Sequence, residues 1–228
     1  MKRDFNPAEL ELMDRPQPVS LELERDLHNL RQLNRFFGSY TLVKSFLKRW
    51  IQPNERLRVV DLATGSGDIP RLIVDYARSV HAEVSVDAID GQPATLEIAA
   101  NLSRAYPEIA FHEGNILQWQ GGPYDLVFCS LVLHHFSEAD AVRVLQRCRE
   151  LSRRLVLVSD LRRGWLASAG VYLLTALIFR DPMTRYDARL SAARAFSLSE
   201  LAELARRAGW DRFGRARFRF ARQAIWLE

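Results

Sequence analysis

The chain has few of the residues that would mark a disulfide-stapled, membrane-spanning or metal-finger protein. Cys129 and Cys148 are its two cysteines among 228 residues. That is too few for a disulfide framework, and both read as structural thiols of a reducing compartment. The uncharged run Trp165 to Phe179, bracketed by Arg163 and Arg180, is 15 residues long. A bilayer needs roughly 17–25 apolar residues, so this run falls short of a spanning helix. The opening Met1-Lys2-Arg3-Asp4-Phe5-Asn6-Pro7 has no apolar h-region, and a cytoplasmic location without a secretory leader is expected. Repeats and low-complexity segments are absent. His134 and His135 are adjacent rather than at i, i+4 spacing, so no zinc site and no metal is expected.

What is present is an ordinary globular composition, 48% apolar and 26% charged, in a length that suits one α/β domain plus decoration. The formal net charge is +4. Arginines crowd the C-terminal third at 206, 207, 212, 215, 217, 219 and 222. The interleaved aromatics, such as Phe218 and Phe220, fall on the opposite strand face, which favours core packing over a base-stacking platform. The arginines then read as a solvated face and charged edge strands, and no nucleic-acid partner is expected.

The most informative stretch is Val59-Val60-Asp61-Leu62-Ala63-Thr64-Gly65-Ser66-Gly67-Asp68-Ile69-Pro70. It reads as a buried strand, a glycine loop and a helix start, with Ile69, Leu72, Ile73, Tyr76, Ala77 and Val80 at helical spacing. Such a loop lets a ligand approach the backbone beside the free N–H groups of the helix, where nucleotide-like cofactors bind in open α/β sheets. Val84 to Asp90 is a second strand that ends in an acid 23 residues after Gly67, placed to accept from ribose hydroxyls. Phe111 to Leu117 is a third strand and its exit. Asn115 there can accept or donate toward a ring, or serve as a plain turn residue. Tyr124 to Ser130 is strand four, Leu155 to Asp160 strand five, and the alternating tail an edge hairpin.

A dinucleotide fingerprint needs a third glycine where Pro70 stands, which argues against an NAD-dependent oxidoreductase. The Asp61, Ala63, Gly65, Gly67 pattern instead resembles motif I of the class I S-adenosylmethionine-dependent methyltransferases, with Ala63 in place of the first glycine. Tyr124-Asp125-Leu126-Val127 is typical of that family. Leu133-His134-His135-Phe136-Ser137-Glu138 resembles the Leu-His-Asp-Trp-Ser-Asp run of its small-molecule O-methyltransferases. The resemblance implies an α/β, Rossmann-like, mostly parallel sheet with an antiparallel last hairpin. It implies S-adenosylmethionine as cofactor and S-adenosylhomocysteine as product. It assigns cofactor contacts to Asp61, Ala63, Thr64, Gly65, Gly67, Asp90, Gly91, Gln92, Asn115, Ile116, Ser130 and Leu131. It assigns the base to His134, with His135 second, although many class I enzymes carry a His-His pair with a structural role. Ser137 reads as the cap of the next helix.

Two segments lie outside this core, which spans 53–164 and 197–228. Residues 1–52 are expected to form a helical lid. A short helix is expected near Glu9 to Met13, a longer one through Leu23, Leu27, Leu30 and Phe37 to Gly38, and a third ending before Pro53. Arg35 and Tyr40 could reach the cofactor carboxylate or the acceptor. Residues 165–196 are an apolar helical insertion capping the substrate site, followed by a turn-like stretch where Arg185 and Tyr186 could orient an acceptor. The segments look like those of bacterial methyltransferases acting on phenolic polyketides and related lipids, whose relatives act in quinone biosynthesis. The expected partner is therefore a small phenolic or lipid-like acceptor in secondary metabolism, methylated on oxygen. N- or C-methylation, or cofactor binding without turnover, are the alternatives. A peripheral membrane contact is compatible with such substrates, and the chain could act as a monomer or homodimer.

Overall fold

The computed structural model describes residues 2–164, 170 and 181–228. The expected apolar helix from Trp165 to Phe179 therefore lies outside the described residues, apart from Gly170. Two helices, α1 (Leu21–Phe36) and α2 (Ser39–Trp50), precede the sheet. The Ser20 hydroxyl accepts from the Leu23 N–H to start α1. Gly38, at φ +86°, turns the chain into α2, a left-handed position that glycine adopts freely.

Next come β1 (Arg56–Leu62), α3 (Asp68–Ser79), β2 (Glu83–Asp90), α4 (Pro93–Leu102), β3 (Ile109–Glu113) and β4 (Tyr124–Ser130). After a 3-10 turn at Leu133–His135 follow α5 (Glu138–Leu151), β5 (Ser152–Leu161), α6 (Pro182–Arg194), α7 (Leu198–Arg207), β6 (Gly214–Phe218) and β7 (Arg222–Leu227).

The strands form one sheet in the order β3-β2-β1-β4-β5-β7-β6. The first five are parallel, and β7 runs antiparallel to both of its neighbours. Both faces are covered, as a parallel sheet requires. In β4, Leu126 and Phe128 pack with α2 and α3, while Val127 and Cys129 pack with α5 and α7. This alternation follows from the two-residue period of a strand. Cys129 and Cys148 are both buried and free. Register aligns the strand ends: Leu62 sits opposite Ile89 and Cys129, and Ser130 opposite Ser159. The loops leaving β1, β2, β4 and β5 therefore meet along one edge.

Three local expectations are corrected. Residues 9–13 form no helix but an irregular segment. Its Leu12 and Met13 N–H groups donate to the Asp187 carboxylate at 2.7 and 3.1 Å. The stretch 181–187 is not a turn but the start of α6, with Asp181 as cap and Pro182 in the first turn. An Asp-Pro pair suits a helix start as well as a turn, because proline's missing N–H costs nothing there. Phe220 lies in the β6–β7 turn, 59% exposed, rather than on a packed strand face. Among the described residues no helix is long and apolar enough to cross a membrane.

Candidate active site

The strand ends open into a cavity of about 850 Å³, within the size range of small-molecule sites. The glycine loop forms one wall. Ala63, Gly65 and Gly67 take φ of +57°, +53° and +70°, so Ala63 holds a left-handed conformation that costs an L-residue energy. Thr64 N–H donates to the Ile89 carbonyl at 2.8 Å, and the Thr64 hydroxyl to Asp61 at 2.7 Å. Burial pushes the Asp61 carboxyl up to about 8; the Thr64 hydrogen bond opposes this and the charges of Asp68 and Asp90 add to it. A Cβ on Gly65 would meet nothing within 4 Å, whereas one on Gly67 would meet the Phe111 ring at 3.0 Å. Space above the loop is thus open at Gly65 and filled behind Gly67.

Asp90, at the tip of β2, accepts from Gly65 N–H at 2.8 Å and Gln92 N–H at 3.0 Å. Burial raises its pKa and these N–H groups pull it back. The cavity lining brings together Asp61, Ala63, Thr64, Gly65, Asp90, Gly91, Gln92, Ser130, Leu131, His134 and His135. It does not include Gly67, Asn115 or Ile116. Asn115 is exposed, and its side-chain oxygen accepts from Leu117 N–H at 2.9 Å, closing a turn. Arg35 and Tyr40 line a separate space of about 250 Å³. The Tyr40 hydroxyl donates to Asp68 at 2.9 Å; burial and that carboxylate hold its proton on. Arg185 and Tyr186 lie on α6 away from the cavity, with the Tyr186 hydroxyl donating to Glu9 at 3.0 Å.

The opposite wall holds the histidine pair. His134 Nδ1 lies 2.6 Å from Asp160 Oδ1, and its backbone N–H donates to Asp160 Oδ2 at 3.0 Å. His135 Nδ1 lies 2.7 Å from Asp14. Both Nε2 atoms lie 3.8 Å from Glu11 Oε1. Burial alone would lower the His135 pKa; Glu11 and Asp14 outweigh it and raise it to about 9. Burial would raise Asp14, but its hydrogen bond and charge interaction with His135 bring it below the ordinary value. Leucines 27, 30, 33 and 161, with Phe136, give the cavity an apolar lining. Arg31 and Arg162 also line the cavity, their Nε atoms buried and without a partner among the described residues.

Sequence reasoning missed Glu11, Asp14, Arg31, Asn34, Asp160 and Arg162 as lining or supporting residues. Asp160 could have been found, because it ends β5 as Asp90 ends β2. Glu11 and Asp14 sit in a segment without periodicity, which carried no signal. Sequence spacing also gave no sign that Glu11 lies within 4.8 Å of His134 and His135.

Residues 59–154 match the family model described as "Methyltransferase domain". A curated relative, the 2-phytyl-1,4-naphtoquinone methyltransferase of Thermosynechococcus vestitus, is 29% identical over 120 residues, 53% of this chain and 51% of the relative. The match thus spans about half the length of that relative. Human N-acetylserotonin methyltransferase, solved with S-adenosylmethionine, superposes with a TM-score of 0.66 at 15% identity, covering 90% of this chain and 55% of that one. The magnesium protoporphyrin IX methyltransferase of Synechocystis PCC 6803, solved with S-adenosylhomocysteine, gives 0.59 at 18% identity, covering 94% and 90%. These structural likenesses bear on the fold. Residues 59–154 thus match a methyltransferase domain, and the fold of the chain is one that solved S-adenosylmethionine-dependent methyltransferases share.

Proposed function

We propose that the chain transfers a methyl group from S-adenosylmethionine to a hydroxyl oxygen of a small apolar or aromatic acceptor, phenolic or lipid-like. The observation that carries this reading is a histidine braced by a carboxylate, facing an apolar-lined cavity that also contains the glycine loop.

The residues present fit the cofactor. The open space over Gly65 would admit it against the backbone, and Asp90, with lone pairs beyond its two N–H contacts, would accept from ribose hydroxyls. Gly91 and Gln92 would flank the nucleoside, and Arg31 and Asn34 stand on the α1 side to meet a carboxylate. When bound, the sulfonium supplies an activated methyl group. The protein's task is then alignment, and near-attack positioning can contribute on the order of 7–11 kcal/mol.

A phenol, with a pKa of about 10, holds its proton at neutral pH. Asp160 accepts a hydrogen bond from His134 Nδ1–H, which leaves Nε2 as the lone pair of a ring that lines the cavity. Proton removal there is typically worth about 10²–10⁴-fold. Asp160 orients the ring and stabilises the cation it becomes.

Residues 1–52 act in this reading as a lid, since Asp14, Leu27, Leu30 and Asn34 face the cavity from that segment. A ring carbon of a quinol is the second reading, prompted by the naphthoquinone methyltransferase activity named for the Thermosynechococcus vestitus relative. Deprotonating a ring hydroxyl would activate the carbon beside it. The test is calorimetric titration with S-adenosylhomocysteine, then methyl transfer to phenols and quinols with product mapping. Micromolar binding and an O-methyl product support the proposal. A C-methyl product selects the second reading, and absence of binding overturns both.

A further inference from the structure

Glu11, His134 and His135 form the one cluster of metal-ligating side chains found among the described residues. The two imidazoles point their Nε2 atoms at the same carboxylate oxygen, each at 3.8 Å. Bonds of about 2.0–2.2 Å to a shared ion would set such donors roughly 3–3.5 Å apart. The two histidine–carboxylate distances are therefore a few tenths of an ångström wider than in a loaded site, and all three donors lie within 4.8 Å of one another, so side-chain rotation is needed to bring them onto one ion.

The outer contacts are those that a metal site uses. A metal-bound histidine gives its other ring N–H to a carboxylate, which fixes the tautomer and raises the basicity of the ligand atom. Here both rings do so, His134 to Asp160 at 2.6 Å and His135 to Asp14 at 2.7 Å. The carboxylate is braced too, because Ser191 Oγ donates to Glu11 Oε1 at 2.6 Å. Glu11 and His134 are almost fully buried, unlike a casual surface group of acids. Two imidazoles and one carboxylate with no thiolate suit zinc, iron, cobalt or manganese in the divalent state. Three protein ligands also leave coordination positions open toward the cavity.

We propose that Glu11, His134 and His135 bind one divalent first-row transition ion at the acceptor end of the cavity. Uptake displaces a proton from the cluster. What the ion then does rests on the proposed function. An acceptor hydroxyl bound at an open position loses its proton to water because the ion stabilises the oxyanion. His134 is in that state a ligand, and coordination replaces it as the base.

The experiment is titration of the chelator-stripped full chain with Co²⁺, followed by visible absorption, with Zn²⁺ as competitor. Saturable uptake of one Co²⁺ per chain with ligand-field bands, displaced by Zn²⁺, is expected. Glu11→Gln should weaken uptake by about 100-fold, and Asp14→Asn, which touches no ion, by about 10-fold. Circular dichroism checks that each variant folds; the wild-type spectrum decides the matter if one does not. No saturable uptake, or a Glu11→Gln protein that binds as tightly as wild type, overturns the site. That failure would leave the histidine-base reading standing. Metal uptake without S-adenosylhomocysteine binding would overturn the function and not the site.

Discussion

Replacing Asp160 with asparagine tests the proposed base without emptying any volume. Asp160 Oδ1 faces His134 Nδ1 at 2.6 Å and accepts from Leu161 N–H at 2.7 Å, while Oδ2 accepts from His134 N–H at 3.0 Å. All three partners are donors, so an amide must turn its NH₂ toward at least one of them. The buried donor left facing another donor should cost about 1–3 kcal/mol of stability. Catalysis suffers separately. A hydrogen bond to a charged group, about 1.5–3 kcal/mol, becomes a neutral one of about 0.5–1.5. The imidazolium formed in the transition state therefore loses roughly 1.5 kcal/mol of support, about a tenfold fall in kcat. If the amide turns its NH₂ toward Nδ1, the imidazole tautomer reverses and the fall approaches about 100-fold. Affinity for S-adenosylhomocysteine should stay within about twofold, because the Asp160 carboxylate hydrogen-bonds to His134 and Leu161 and not to the glycine loop. Single-turnover methyl transfer, with calorimetry alongside, reads both quantities. A kcat within threefold of wild type would refute the base assignment. A parallel loss of cofactor affinity would mean that the variant acts by deforming the cavity.

Three further outcomes are expected. Asp90→Ala should weaken S-adenosylhomocysteine binding by about 10–100-fold, the worth of one or two hydrogen bonds to a carboxylate; unchanged affinity by calorimetry would remove Asp90 from the site. Ala63→Gly should raise the melting temperature by about 1–2 °C, since relief of roughly 1 kcal/mol of left-handed strain at φ +57° exceeds glycine's entropic cost by about half of that; a lower melting temperature would contradict this. Stability should fall as pH rises from about 6 to 9. Asp61 and Asp187 are raised to about 8 and 7, and His135 to about 9. The folded state thus holds more protons than the unfolded chain, and each contribution is lost as pH climbs through the folded value. Urea midpoints that are flat or rising over that range would show that these groups are not so perturbed.

Much of the sheet was legible because strands signal themselves locally. Val59 to Leu62, Val84 to Asp90, Tyr124 to Ser130 and Leu155 to Asp160 are apolar runs that stop at polar turns, and a glycine loop after the first implies a helix and a parallel neighbour. The wall proposed for the cofactor follows the same logic, because Asp61, Gly65 and Asp90 are placed by strand ends that hydrogen-bond register brings level. Periodicity could not show what holds His134 and His135. Glu11 and Asp14 lie more than 120 residues upstream, in a segment with no repeat of its own, and are held there by Asp187 and Ser191 of α6. Nor could it separate a helix cap from a turn at Asp181-Pro182, because the two share a local signal and packing decides between them. Local patterns alone fix the α/β class and the glycine loop, and Pro70 in place of a third glycine sets that loop apart from a dinucleotide fingerprint. Which carboxylates meet the two imidazoles is set by packing, since contacts between distant segments depend on how helices pack rather than on any local pattern.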